Sequence, residues 1–137
     1  LQWECPSNVA ECDLPPLLRG ADGIVVVYDL TRANSFEAAE RWVHAARAQT
    51  QFAHPVVMML GNKSDLANER KVHFFRAQEV SNKLGLPSFD VTQVSCLGDK
   101  TKLQESIKEL CGRILGKAAP TLQIKVSVVG HVVKWRM

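Results

Sequence analysis

Residues 56–66 read VVMMLGNKSDL, a run of five apolar residues followed directly by a polar loop. Continuous apolarity indicates a strand that is covered on both faces, because a strand with one wet face alternates between apolar and polar residues. Such strands are typical of parallel sheets, which bind their ligands at the carboxyl ends of the strands. The stretch therefore predicts a buried parallel strand over residues 56–60 and a binding loop over residues 61–66.

A second run of the same kind lies at residues 23–29, GIVVVYD, and a helical pattern separates the two runs. Asn34 precedes Glu37 by three residues, which is an Asn version of the capping box at the start of a helix. We therefore expect a helix over residues 35–49. Its apolar stripe consists of Phe36, Ala39, Val43 and Ala46. Two buried strands joined by a helix predict a parallel sheet with a right-handed crossover.

Two further helices and a weaker strand follow along the chain. Gly85 ends a helix predicted over residues 76–84, and residues 89–94 form the weaker strand. Residues 102–115 give the strongest helical pattern. Its apolar face consists of Leu103, Ile107, Leu110, Ile114 and Leu115. In the polar loop before these elements, the expected anchors are Val72, Phe74 and Phe75. The predicted fold class is α/β, a parallel sheet with helices on both faces.

The two ends of the chain are less regular. Prolines break up residues 1–20, which we expect to be irregular. Residues 122–129 alternate between apolar and polar side chains over most of their length, which is the pattern of a half-buried strand. We divide the chain into a domain over residues 1–117 and an atypical tail over residues 118–137.

The composition fits a single globular domain, since the 137 residues have a hydrophobic fraction of 46% and a net charge of +3. Lys and Arg are scattered, so we expect no nucleic-acid partner. No run approaches the roughly 18 apolar residues of a membrane span, so we expect no transmembrane segment. The four cysteines fit no zinc spacing, and we expect reduced thiols and no metal site. These cysteines are Cys5, Cys12, Cys96 and Cys111.

The loop at residues 62–65 carries side chains that suit a guanine base. Guanine presents two adjacent donors on its Watson–Crick edge, and the Asp65 carboxylate can accept both in a short, charge-assisted pair. Adenine has an acceptor at the ring nitrogen and would leave Asp65 unpaired. Asn62 can bond another base edge or hold the loop, and the stem of Lys63 can cover the purine face. The alternative is an ordinary polar turn, for which Asn, Ser and Asp are natural.

The motifs around this loop carry a family resemblance. Residues 19–23 read RGADG, residues 30–36 read LTRANSF, and Trp42 lies in the predicted helix that follows. Together with GNKSDL at residues 61–66, they resemble the Ras superfamily of small GTPases, and its Rab branch most closely. The resemblance is good over residues 19–84 and weaker beyond. It implies an incomplete Ras-like G domain that binds GTP or GDP.

In this family a Ser-Ala-Lys loop after the next strand closes the base pocket. The resemblance assigns that role here either to Ser95 and Cys96 or to residues 92–94, and the signature itself is absent. Ordinary loop residues are an equal alternative for Ser95 and Cys96. The cofactor-binding residues expected from the resemblance are Asn62, Lys63, Asp65, Ser95 and Cys96.

The phosphate-binding half of the family site is degraded or missing in this sequence. Residues 1–8 match the family's phosphate-sensing segment in position, but Glu4, Ser7 and Asn8 replace its Asp, Gly and Gln. The motif Gly-x-x-x-x-Gly-Lys-Ser/Thr is absent, and its near match at residues 112–118 falls at the end of a helix. We therefore expect no catalytic residue and weak or lost binding of GTP and GDP. Mg²⁺, which the full family binds, lacks its usual ligands here.

The resemblance implies a guanine-nucleotide switch of intracellular membrane traffic, represented by its C-terminal portion and deficient in hydrolysis. The first residue is Leu1, not Met, so we expect a fragment or an incomplete gene model. Expected partners are guanine nucleotide and protein effectors or regulators. The expected location is cytoplasmic, peripheral to membranes through those partners, since a C-terminal Cys for prenylation is absent. The alternative is a non-enzymatic pseudo-GTPase interaction module. A Rossmann-type oxidoreductase would need a Gly-x-Gly-x-x-Gly turn, which the sequence lacks.

The missing opening strand of the family sheet would leave an open edge beside residues 23–29. One hypothesis places the alternating tail, residues 122–129, in part of that edge. The rival hypothesis gives the tail no packing role.

Overall fold

In the computed structural model, the described residues include five parallel strands, which form one sheet. The structure describes residues 2–4, 21–49, 55–86, 91–93, 101–117 and 125–130. The strands are β1 (Gln2–Glu4), β2 (Gly23–Asp29), β3 (Val56–Asn62), β4 (Val91–Gln93) and β5 (Lys125–Gly130). The helices are α1 (Ala33–Gln49), α2 (Phe74–Lys83) and α3 (Thr101–Lys117), with a 3-10 turn at Ala67–Glu69. The order across the sheet is β1-β5-β2-β3-β4.

The pair β2 and β3 is in register over its full length, from Gly23 opposite Val56 to Asp29 opposite Asn62. Every residue of both strands is buried, which explains why neither sequence alternates. The two predicted parallel strands are confirmed. β3 continues two residues past its predicted end, because Gly61 and Asn62 still pair with the end of β2.

Side chains on the two faces of β2 and β3 pack against different helices. On one face, Ile24 and Met59 pack with the apolar sides of α1 and α2. On the other face, Val27 and Met58 pack with α3, whose Leu110 is fully buried. Burying one such side chain stabilises the fold by about 1.5–3 kcal/mol, so a helix has to cover each face of the sheet. The predicted α/β class with helices on both faces is confirmed.

The predicted apolar stripes of α1 and α3 lie in the core, with Leu115 as the exception, whereas two of the three predicted loop anchors are exposed. All four stripe positions of α1 are buried, and so is the predicted loop anchor Val72. Phe74 and Phe75 are 50% and 85% exposed, so their prediction as anchors is wrong. α2 begins at Phe74, two residues before the predicted start, and its first turn directs both rings outward. Leu115 is 62% exposed at the far edge of the α3 stripe, and its prediction as a core residue is also wrong.

The start of α1 differs from the prediction. The helix begins at Ala33, so Asn34 lies in its first turn and is not the capping residue. Ser35 provides the local hydrogen bonds instead. Its backbone N–H donates to the Arg32 carbonyl at 3.1 Å, and its hydroxyl lies 2.7 Å from the same oxygen.

The expectation of an irregular segment over residues 1–20 is wrong at residues 2–4, which form β1. β1 pairs in parallel with β5 from Gln2 opposite Lys125 to Glu4 opposite Ser127. A three-residue strand is too short to show a period, and it becomes a strand only by pairing with a distant segment. Residues 5–20 lie outside the described residues. Within the part of the chain that is described, no helix has the length and apolarity to cross a membrane.

β5 lies between β1 and β2, so the strand that comes latest in the described part of the chain occupies an interior place in the sheet. It pairs with β2 from Gly23 opposite Val126 to Val27 opposite Gly130, and all pairs are parallel. The hypothesis that the tail fills the edge beside β2 is therefore confirmed for residues 126–129, while Lys125 pairs with Gln2 of β1, and the rival without a packing role is wrong. Residues 122–124 lie outside the described residues.

Tyr28 lies in the core beside the end of β3. Its ring packs edge-to-face on Phe36, with centroids 5.0 Å apart, and its hydroxyl is buried without a hydrogen-bond partner in the described residues. Burial raises the pKa of the Tyr28 phenol well above its ordinary value, and the positive charge of Arg70 opposes this only in part. Ionisation of this hydroxyl in the folded state is therefore costly.

Tyr28→Phe is expected to be neutral or stabilising near pH 7, by up to about 1 kcal/mol, because it removes a buried donor that lacks a partner. Above about pH 10 the unfolded wild-type chain ionises its tyrosine while the folded chain resists, so wild-type stability falls as pH rises. Tyr28 is the single tyrosine, so the variant loses this contribution entirely. Urea unfolding of both proteins between pH 7 and about 11 measures it. Equal losses of stability in the two proteins would contradict this role of Tyr28.

Candidate functional site

The candidate site lies where β2 and β3 end together at the carboxyl edge of the sheet. Asp29 is the last residue of β2 and stands opposite Asn62, the last residue of β3. The ladder continues one step further, since the Leu30 N–H donates to the Asn62 carbonyl at 3.0 Å. Ligand sites of parallel α/β sheets form at such strand ends. The loop after β3 is therefore attached directly to the rigid part of the sheet.

A tight turn follows β3 and presents the polar side chains of residues 62–65. Lys63 has a φ of 67°, a left-handed conformation that is uncommon for a residue with a side chain. The Leu66 N–H donates to the Lys63 carbonyl at 3.1 Å and closes the turn around Ser64 and Asp65. Asn62 is only 2% exposed, whereas Asp65 is exposed. The turn thus places Asn62 in the interior and Asp65 at the surface.

Lys63 and Asp29 form an ion pair across the strand ends. The Lys63 Nζ lies 2.7 Å from Asp29 Oδ2, and the Lys63 side chain remains 45% exposed. Asp29 Oδ1 accepts the Thr31 N–H at 2.8 Å and the Thr31 hydroxyl at 2.7 Å. Burial raises the pKa of the Asp29 carboxyl, but the bonds from Lys63 and Thr31 together outweigh it and hold the pKa below its ordinary value. Asp29 is therefore ionised at neutral pH.

Two further sets of hydrogen bonds fix the loop to the rest of the fold. The Ser35 hydroxyl accepts the Asp29 N–H at 3.0 Å, which fixes the backbone of the strand end to the start of α1. The Leu30 carbonyl accepts the N–H groups of Lys71 at 2.8 Å and Val72 at 3.0 Å. The segment that leaves the turn is therefore tied back to the same strand end as the segment that enters it.

The structure brings three of the predicted site residues together, namely Asn62, Lys63 and Asp65. Asp65 is exposed and makes no ion pair or hydrogen bond with any residue that the structure describes. Its exposed position fits an acceptor for two adjacent donors of a base. The predicted pocket-closing residues Ser95 and Cys96 lie outside the described residues. β4, which precedes them, ends at Gln93 opposite Gly61.

The phosphate side of the site is described only in part. The near match to the phosphate-loop motif, at residues 112–118, begins inside α3, where Gly112 and Gly116 are helical. A phosphate loop must follow a strand and open a helix, so this match has the wrong context. Within the described ranges, no group of three or more His, Cys, Asp or Glu residues could hold a metal ion. The segment at residues 5–20 lies outside those ranges.

Sequence reasoning missed Asp29, Thr31 and Ser35 as parts of the site. The sequence did contain a signal for Asp29. If the two buried strands are parallel and in register, an Asp at the end of the first strand lies close to the loop after the second. The register itself depends on packing over the full sheet. The ion pair therefore became visible only in the folded structure.

Comparison with known proteins agrees with these features. The Ras family model matches residues 14–115 of this chain. The Ras-related protein RabC of Dictyostelium discoideum is 38% identical over 74 residues, which cover 54% of this chain and 37% of that protein. Rab-27B of Rattus norvegicus is 29% identical over 112 residues, or 82% of this chain and 51% of that protein. Rab-17 of Mus musculus is 40% identical over 68 residues, or 50% of this chain and 32% of that protein.

The matched regions identify the family, but they cover only part of each relative. The chain spans about half or less of the length of these curated relatives. The family match covers most of the chain and includes the site loop at residues 62–65, β2, α1, α2 and α3 as far as Leu115. The chain therefore belongs to the Ras family of small GTPases, in its Rab-like branch.

Proposed function

We propose that this chain binds guanine nucleotides through the base-reading loop at residues 62–65. The observation that carries the proposal is the state of Asp65. Its carboxylate is exposed in a closed turn directly after a buried strand, and it makes no bond to the described residues. A carboxylate held in this way is ready to accept the two adjacent donors of guanine.

In the proposed mode each residue of the loop has a separate role. Asp65 accepts the ring N1–H and the exocyclic amine in a bidentate, charge-assisted pair. The methylene stem of Lys63 lies along the purine face while its ammonium stays with Asp29. Asn62 is buried at the base of the turn and anchors the loop. Adenine would present an acceptor to Asp65, and sites that leave a polar group unpaired can reject the wrong ligand by about 10⁴-fold.

As part of a Rab-like GTPase, the chain would contribute the base-reading half of a switch in intracellular membrane traffic. GTP, GDP and Mg²⁺ are the ligands of such a switch, and effectors or regulators are its protein partners. The proposed location is cytoplasmic and peripheral to membranes through these partners. Hydrolysis is proposed to be deficient, because Glu4, Ser7 and Asn8 replace residues that act on the terminal phosphate and its water.

A second candidate function is a non-enzymatic interaction module. Phe74 and Phe75 favour it, because two aromatic rings at 50% and 85% exposure stand together at the start of α2 with their centroids 6.2 Å apart. Contiguous exposed apolar surface is typical of contact surfaces for partners, and these two rings would form the centre of such a surface. This function does not exclude nucleotide binding, and it predicts no guanine preference.

Calorimetry with guanosine, GDP, GTP and ATP in Mg²⁺ buffer tests the proposal. We expect the wild-type chain to bind the guanine ligands only weakly, because the phosphate-loop motif is absent from the sequence, and to bind ATP more weakly still. Asp65→Ala is expected to weaken guanosine binding by roughly 10- to 100-fold, because it removes two hydrogen bonds to a charged acceptor. Glu79→Ala, which removes one exposed negative charge from α2, is the matched control and should bind as wild type. Equal binding of GTP and ATP would reject the proposal and leave the interaction module.

A further inference from the structure

Asp29 is held from three sides at the edge of the candidate site. Only 7% of the Asp29 surface is exposed. One carboxylate oxygen accepts the backbone N–H and hydroxyl of Thr31, and the other lies 2.7 Å from the Lys63 ammonium. Its backbone N–H is bound by the Ser35 hydroxyl at 3.0 Å. The direction of this carboxylate is therefore set by the scaffold and does not depend on a ligand.

Lys63, in contrast, needs an external constraint to stay in one place. It combines an uncommon backbone conformation, with a φ of 67°, and a long side chain that is 45% exposed. A free lysine side chain samples many rotamers, and fixing it opposes binding. The ion pair with Asp29 fixes the ammonium end while the backbone fixes the other end. The methylene stem between them is then held in position before a ligand arrives.

We infer that Asp29 is a positioning residue for base binding, acting through Lys63 to hold its stem as a flat apolar platform beside Asp65. The inference rests on the proposed function and specifies how that site is prepared. It assigns two separate tasks to two carboxylates. Asp65 distinguishes guanine from other purines by its edge, whereas Asp29 raises the affinity for any purine that Asp65 accepts.

This division of tasks has a measurable consequence. Loss of the Asp29 charge should weaken guanosine and inosine by the same factor, because both have the same ring face and the same N1–H. Loss of Asp65 should weaken guanosine more than inosine, because inosine lacks the exocyclic amine that Asp65 also accepts. A smaller folded fraction would also weaken both nucleosides by the same factor, so the dependence on Lys63 and the folded fraction of each variant assign the effect to the ion pair.

The binding experiment uses Asp29→Asn in the full chain, with guanosine, inosine and adenosine as probes. Asn keeps the size of the side chain and can still accept from Thr31, but it removes the charge that holds Lys63. We expect guanosine and inosine each to bind about three- to tenfold more weakly, since one long side chain must now be ordered on binding. Asp22→Asn is the matched control, because Asp22 is exposed and immediately precedes β2, at the opposite end of the strand.

A double-mutant cycle shows whether the effect passes through Lys63. Lys63→Met keeps a long apolar stem and removes the ammonium, so Asp29→Asn should have no added effect on guanosine affinity in that background. An undiminished effect in the Lys63→Met background, or no loss of guanosine affinity in Asp29→Asn, would overturn the inference. Thermal unfolding of each variant confirms that the folded chain is being compared.

A ligand-free measurement separates this inference from the proposed function. NMR relaxation of the Lys63 side chain should show a rigid methylene stem in the wild type and in Asp22→Asn, and a mobile stem in Asp29→Asn. A mobile stem in the wild type would overturn the positioning role even if guanosine binds. Conversely, a rigid stem in a chain that does not prefer guanosine over adenosine would reject the proposed function and leave the Asp29–Lys63 constraint standing.

Discussion

A chain that ends before Lys125 is expected to lose its cooperative unfolding transition. β5 pairs with β1 on one side and with β2 on the other, so its removal separates β1 from the sheet and exposes the backbone of β2. Strands buried on both faces cannot leave such groups unpaired without a large cost, and an open apolar edge promotes aggregation. Circular dichroism during heating and size-exclusion chromatography would show the loss.

The matched control for this truncation is a chain that ends after Gly130, which keeps all of β5. We expect it to unfold cooperatively, with amide protection of β2 from Gly23 to Val27 in hydrogen exchange. The shorter chain should lose that protection first, because these are the residues that pair with β5. If the chain without β5 melts at the same temperature as the control, β5 has no interior place in the sheet.

Gly61→Val is expected to destabilise the fold by about 2 kcal/mol or more, although valine favours strands. A side chain at position 61 would place its Cβ 2.8 Å from the Tyr28 ring and 3.1 Å from Leu30. Tyr28 is fully buried against Phe36 and cannot move aside. Strand preference differs by only about 1 kcal/mol among residues, whereas overpacking costs about 1–3 kcal/mol or more, so the clash prevails.

The melting temperature of Gly61→Val should accordingly fall by roughly 5–10 °C. Gly112→Ala is the control, because no described residue lies within 4 Å of the added Cβ and the position is inside α3. Replacing a helical glycine by alanine should stabilise by up to about 1 kcal/mol. A Gly61→Val protein as stable as the wild type would show that Tyr28 does not pack against this backbone.

The parts of the fold that could be predicted are those in which local pattern and burial agree. β2, β3 and the buried stripe of α1 were visible because covered strands are continuously apolar and a packed helix repeats every 3.6 residues. The place of β5 was open, since its alternating pattern predicts a strand but does not identify its neighbours. β1 was missed because three residues carry no period. Phe74, Phe75 and Leu115 were misassigned because apolar side chains also occur on surfaces.

The candidate site also has a part that the sequence predicts and a part that it does not. Asn62, Lys63 and Asp65 are close in sequence and lie at the end of a recognisable strand, so the position of the candidate loop could be predicted from the chain alone. Asp29 lies far from Lys63 in sequence and meets it only because β2 and β3 are parallel and end in register. Contacts of this type depend on the alignment of two strands, which local sequence does not encode.

A change of nucleotide specificity tests most directly whether Asp65 recognises guanine. Xanthine keeps the ring N1–H of guanine and carries a carbonyl oxygen where guanine has its exocyclic amine. Asp65→Asn would accept the N1–H with its amide oxygen and donate to that carbonyl, whereas it would meet the guanine amine with a second donor.

The decisive measurement is calorimetric titration of wild type and Asp65→Asn with GDP and xanthosine diphosphate. The wild type should prefer GDP, and Asp65→Asn should prefer xanthosine diphosphate, each by about tenfold or more. A wild-type chain that binds the two nucleotides equally, or an Asp65→Asn chain that keeps its preference for GDP, would contradict the assignment of Asp65.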